Sequence, residues 1–112
     1  MTVYVIANIT VHDPKGYKAY SAQVYQTVAD HGGWYVGRAG AAGEAEIVEG
    51  DFKPGRFVIL AFESREMAHS WYNSDEYQKA AEIRKAHSDG DVFIIDEVPA
   101  GVNPTREWGD RR

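Results

Sequence analysis

The sequence predicts an α+β fold. Helices pack on one face of an antiparallel sheet, and a second copy of the same sheet packs on the other. Three observations carry this. Strand and helix patterns alternate along the 112 residues in the order β-α-β-(bulge)-β-α-β. The strand segments that start at Val3, Phe57 and Val92 are apolar at successive positions, as strands buried on both faces are. Two helical segments can cover only one of those faces. The simplest cover for the other is a symmetric partner; the alternative is that the tail or edge packing hides part of it.

Val3 to Val11 is β-rich and almost wholly apolar. Asp13-Pro14 then marks a helix start, with Asp13 as N-cap and Pro14 at the first helical position. Tyr17, Tyr20, Val24 and Val28 form one stripe at three-to-four spacing, with Ser21 and Tyr25 alongside. His31-Gly32-Gly33 ends that helix, with a glycine suited to a left-handed cap. Residues 34–38 read as a strand, the small, glycine-rich residues 39–43 as a bulge or turn, and residues 45–50 as a resumed strand. Lys53-Pro54-Gly55 is a turn, and residues 57–62 (FVILAF) are the strongest strand pattern in the chain.

A second helix opens at Ser64 and carries Met67 and Trp71 inward. Ser74 caps a further helical segment, with Asp75 and Glu76 in the first turn, where the helix dipole favours acids. Tyr77, Ala80, Ala81 and Arg84 share one face of it. Ser88-Asp89-Gly90 is expected to close that helix before the last strand, residues 92–95. The order suits a ferredoxin-like βαββαβ sheet. Residues 1–98 form the domain, and residues 99–112, with Trp108, a tail.

Composition narrows the function classes. The formal net charge is -5 and no basic run occurs within the domain, which argues against nucleic acid as a partner. No apolar run approaches the roughly 20 residues of a membrane span. The first residues enter a strand without a signal-peptide pattern. The absence of cysteine excludes disulfides, thiolate chemistry and zinc–sulfur sites. His12, His31, His69 and His87 show no metal-ligand spacing, so no metal or cofactor is expected. His31 is read as a cap at its helix terminus. The expected compartment is the cytoplasm.

In combination, several motifs resemble the domain of unknown function 1330 family. They are the strand followed by Asp13-Pro14-Lys15-Gly16-Tyr17-Lys18-Ala19-Tyr20, then His31-Gly32-Gly33, Arg38, Glu49-Gly50 and Pro54-Gly55-Arg56-Phe57-Val58-Ile59. Trp71-Tyr72-Asn73-Ser74-Asp75-Glu76-Tyr77-Gln78 completes the set. The likeness spans roughly Val3 to Val98. It implies a sheet-to-sheet dimeric α+β barrel, a fold shared with small cofactor-free monooxygenases, and no settled activity. The 39–43 segment is longer than the family's short glycine turn, and the tail lies outside the likeness.

In that fold the cavity lies between helices and sheet, which selects the candidate residues. Arg38 and Arg56 present planar forks to a substrate carboxylate or phosphate, or pair at the surface with Glu49. Glu49 is a candidate base or the partner of one of those arginines. Tyr72 and Tyr77 can orient a carbonyl or enolate, or serve the core. Trp71 reads mainly as core. Asn73 serves a turn or meets substrate at the pocket mouth. The first hypothesis is a cofactor-free enzyme, monooxygenase- or isomerase-like. Its substrate is a small anionic or carbonyl-bearing metabolite, its catalytic candidates are Glu49 and Tyr72, and its binding candidates are Arg38, Arg56, Asn73, Tyr77 and Trp71. The alternatives are a non-catalytic small-ligand-binding homodimer and a dimer without a ligand.

Overall fold

A computed structural model describes residues 1–40, 43–99 and 102. The elements are β1 (Val3–Val11), α1 (Pro14–Asp30), β2 (Trp34–Ala39), β3 (Arg56–Phe62), α2 (Arg65–Tyr72), α3 (Asp75–His87) and β4 (Ser88–Asp96). The four strands form one antiparallel sheet in the order β2-β3-β1-β4. This is the ferredoxin-like topology, with the two most apolar strands, β1 and β3, at its centre. No described helix is long and apolar enough to cross a membrane.

The caps explain the helix boundaries. Asp13 accepts from the Gly16 amide at 3.2 Å, and Pro14 opens α1. α1 closes with the Gly33 amide donating to the Val28 carbonyl at 2.9 Å and Gly32 at φ 77°, the left-handed region where glycine carries no Cβ penalty. The His31 ring caps the same end, its Nδ1 2.9 Å from the Thr27 carbonyl. Ser64 and Ser74 accept from the Met67 and Tyr77 amides, starting α2 and α3. Ser74 also donates to the Trp71 carbonyl at 2.7 Å, so one serine fixes the angle between two helices.

Register decides which side chains face the helices. Val5 pairs with Leu60 and Ile94, and Ala7 with Val58 and Val92. Opposed residues share a face, so these line the inner side. There they meet Tyr17, Tyr20 and Val28 of α1, Trp71 of α2 and Tyr77 of α3 in one core. The outer face is also apolar. Ile6 lies opposite both Ile59 and Phe93, and Tyr4 opposite Ala61 and Ile95. On the β2 and β4 flanks, Trp34, Val36, Phe93 and Ile95 are 43–52% exposed.

Two boundaries differ from the sequence reading. Residues 45–50 are not a strand: positions 43–55 run as irregular, mostly exposed chain between β2 and β3. Ile47 and Val48 have β propensity, but β3 already pairs with β1 and β2. Gly40, Gly43 and Gly50 take positive φ (106°, 91° and 96°), which breaks an extended run. Glu44, Glu46 and Glu49 are therefore solvated on a loop rather than along a strand edge. The Gly40 amide donates to the Gly43 carbonyl at 3.2 Å; Ala41 and Ala42, within the bulge or turn expected at residues 39–43, lie outside the described residues.

Ser88-Asp89-Gly90 does not form a separate closing turn either. α3 passes directly into β4, with Ser88, Asp89 and Gly90 paired to Val11, Thr10 and Ile9. A Cβ on Gly90 would stand 2.3 Å from the Asn8 carbonyl oxygen, so glycine admits the close strand approach there. Apart from Val102, the tail beyond Pro99, including Trp108, falls outside the described residues.

Candidate functional site: a tyrosine-lined cavity with two arginines

A cavity of about 250 Å³ lies between α1 and the inner face of the sheet. Its floor is made of small strand residues, Val5, Ala7, Val58 and Val92. Ala7 is on the central strand, where a larger side chain would fill the space. One wall is the tyrosine stripe of α1, with Tyr17 and Tyr20 inward and the exposed Tyr25 at the rim. The opposite wall is Tyr35 on β2, whose ring stacks on Tyr25 with centroids 5.2 Å apart. Trp71 and Tyr77 close the inner end.

Arg38 and Arg56 both line this cavity. A register shift in β2 between Tyr35 and Gly37 places Tyr35 opposite Leu60 and Arg38 opposite Val58, so both side chains fall on the inner face. The Arg56 guanidinium lies over the Tyr17 ring, 4.9 Å from its centroid, and that of Arg38 lies 6.0 Å from the Tyr35 centroid. Neither takes part in an ion pair among the described residues. The expected alternative pairing with Glu49 is therefore not formed. Glu49 is exposed on the irregular segment and does not line the cavity.

The other candidates separate in the same way. Trp71 is core as well as cavity wall: its indole N–H donates to Thr27 Oγ1 at 3.0 Å, and its ring centroid lies 4.1 Å from that of Tyr77. Tyr77 is 1% exposed, and its hydroxyl is 3.1 Å from that of Tyr20. Tyr72 packs beside Trp71 and Tyr77, with ring centroids 6.2 and 5.5 Å away, but does not line this cavity. It lines a second groove against Phe93 and Ile94 of β4, with Arg65 and His69 alongside. Asn73 is the exposed C-cap of α2 and lines neither space. Among the described residues no three His, Cys, Asp or Glu side chains converge as metal ligands.

Sequence reasoning passed over Tyr17, Tyr20 and Tyr35 as parts of this cavity. The available signal was the make-up of the α1 stripe. A core helix face is usually Leu, Ile or Val, and one built on Tyr17, Tyr20 and Tyr25 brings hydroxyls that need partners.

Burial raises the Tyr17, Tyr20 and Tyr35 phenols above the ordinary tyrosine value of 10.0. For Tyr20 the Tyr77 hydroxyl adds to the rise, whereas Arg56 beside Tyr17 and Arg38 beside Tyr35 offset part of theirs. The neutral phenol is thus favoured by the fold. Its contribution is complete below pH 10 and is lost as pH rises above it, because the unfolded chain then releases protons that the folded chain retains. The urea midpoint is expected to be level from about pH 8 to about pH 9.5 and to fall above about pH 10. Tyr20→Phe is expected to flatten that fall, and a fall of unchanged steepness would show that Tyr20 does not drive it.

The profile of the family described as domain of unknown function (DUF1330) matches residues 2–98. The chain belongs to the DUF1330 family. No curated protein matches the sequence. Among solved structures, a Rhodopseudomonas palustris protein of unknown function is 14% identical with a TM-score of 0.69, over 88% of this chain and 83% of that one. The cofactor-independent oxygenase SnoaB of Streptomyces nogalater is also 14% identical, with a TM-score of 0.61 over 91% of this chain and 98% of its own. A dimeric Bacteroides fragilis protein described as having a ferredoxin-like fold is 7% identical, with a TM-score of 0.52 over 86% and 96%. At such identities the likeness to these structures shows a shared fold. This DUF1330 chain therefore has the α+β, ferredoxin-like architecture that its element order predicts.

Proposed function

We propose that this DUF1330 protein is a homodimer joined through the outer faces of its sheets. Each subunit holds a small anionic or carbonyl-bearing metabolite in the cavity beside α1 and acts on it as a cofactor-free enzyme. The observation that carries the ligand class is electrostatic. Two arginines and several phenols line the cavity, and among the described residues no carboxylate does, in a chain whose net charge is -5. The space suits one substituted ring or a short acid, being smaller than the roughly 300–1,000 Å³ of pockets for drug-sized ligands.

In this reading Arg38 and Arg56 hold the anion, each steadied by a tyrosine ring. Tyr77 meets a ligand oxygen, and Trp71 forms an apolar wall. Glu49, Tyr72 and Asn73 lie outside the cavity, so the roles expected of them there lose support. A second reading has an observation of its own. Among the described residues neither carboxylate nor histidine lines the cavity, so no general base is in place, which favours a non-catalytic ligand holder.

The ligand assignment is tested by calorimetric titration with benzoate. Arg56→Gln and Arg38→Gln are each expected to weaken binding about tenfold or more, the loss of one charge-assisted hydrogen bond. Unchanged affinity in Arg56→Gln would remove the assignment.

A further inference from the structure

Arg84 projects from α3 and is only 6% exposed. It takes part in none of the ion pairs among the described residues, and its Nε finds no acceptor. A buried guanidinium without a carboxylate is expensive, and an aliphatic side chain would fill the same space without that cost. The titratable groups that act on Arg84 are all phenols: Tyr77 on its own helix, Tyr20 and Tyr17 on α1, and Tyr72 on α2. Two turns separate Tyr77 from Arg84, which puts both on one face of α3. Between them Ala80 and Ala81 are fully buried, small enough to let α1 approach. That approach brings the Tyr20 hydroxyl to 3.1 Å from that of Tyr77.

We infer that Arg84 is a positioning residue for the cavity, acting with Tyr20 to polarise the Tyr77 hydroxyl so that the ligand oxygen it meets is held as an enolate or phenolate anion. This rests on the cavity's being the ligand site. The Tyr20 and Tyr77 hydroxyls share one hydrogen bond; with Tyr20 as its donor, the Tyr77 proton is left for the cavity. Negative charge on the ligand oxygen strengthens both hydrogen bonds, and the fixed charge of Arg84 behind them favours it further. The ligand class narrows accordingly to an enolisable carbonyl compound or a phenol.

The probe is 4-nitrophenol, whose ionisation is read by its absorbance. Bound to the wild-type protein, it is expected to ionise at lower pH than in water. Arg84→Met keeps the stem and removes the charge, and Tyr20→Phe keeps the charge and removes the hydroxyl. Each is expected to raise the bound pKa by about 1: for Arg84→Met the effect of a unit charge about 10 Å away at protein dielectric, and for Tyr20→Phe the loss of about one hydrogen bond. Arg84→Lys is expected to restore most of the difference, which a role in packing alone would not. Wild-type titration in both Arg84→Met and Tyr20→Phe overturns the inference. If Arg84→Met does not fold, Tyr20→Phe decides: an unchanged pKa overturns it as well. Failure of the cavity reading is separate, because 4-nitrophenol would then fail to bind the wild type, or bind it and Arg56→Gln equally well, and both proposals would go.

Discussion

Replacing Trp71 with alanine is expected to lower stability by about 3–5 kcal/mol, a large fraction of the roughly 5–15 kcal/mol that a domain possesses. Trp71 is where the three helices and the sheet meet. Its ring packs on Tyr77 and Phe62, with centroids 4.1 and 5.5 Å away, and its indole N–H is bound to Thr27 on α1. Alanine would open a large hole and leave the Thr27 hydroxyl without its donor, although that hydroxyl still donates to the Val24 carbonyl at 2.7 Å. Trp71→Phe would retain much of the ring contact while losing the indole N–H, and is expected to cost less. Chemical denaturation measures both. A loss below about 1 kcal/mol for Trp71→Ala would mean that the core does not depend on this side chain.

The second large effect is on assembly. Phe93→Asp places a charge on the outer face of the sheet, opposite Ile6 and away from the core. If that face is joined to its copy, the substitution buries two unpaired carboxylates about one symmetry axis. The variant is expected to sediment as a monomer at concentrations where the wild type is a dimer, with its secondary structure intact. The physical basis is the area left uncovered. Trp34, Val36, Phe93 and Ile95 are each close to half exposed, and a monomeric protein rarely presents such a patch to water. A Phe93→Asp protein that remains dimeric would place the interface elsewhere.

Much of the fold was legible because its signals are local. Asp13, Ser64 and Ser74 each sit one residue before a helix, and the side-chain oxygen of each accepts from an amide of its first turn. The shared face of Tyr77, Ala80, Ala81 and Arg84 follows from helical period alone, and these four are the buried residues of α3. The strand expected at residues 45–50 failed for a non-local reason. Its residues alternate well enough, but a strand needs a neighbour, and β3 has none to spare. The start of β4 was missed because Ser88-Asp89-Gly90 has turn chemistry, which pairing with Ile9, Thr10 and Val11 overrides.

The cavity was only partly legible. Arg38, Arg56, Tyr77 and Trp71 were named and do line one space. That Arg38 faces inward depends on the register shift in β2, which no residue pattern announces. Tyr72, next to Trp71 in sequence, packs on the Tyr77 ring with centroids 5.5 Å apart yet does not reach the cavity, because neighbours on a helix diverge by about 100°. Arg84 read as one member of a helix face. Its burial among phenols, without an acid, appears only once α1 and α3 are packed together.

A crystal structure of the protein soaked with a small aromatic keto acid decides whether the space beside α1 is a ligand site. The carboxylate is expected between Arg38 and Arg56, with the keto oxygen within hydrogen-bond distance of Tyr77. If instead the two arginines point apart into solvent and the space beside α1 is closed by Tyr17, Tyr35 and Trp71, the cavity is only part of the core and the proposed site is wrong.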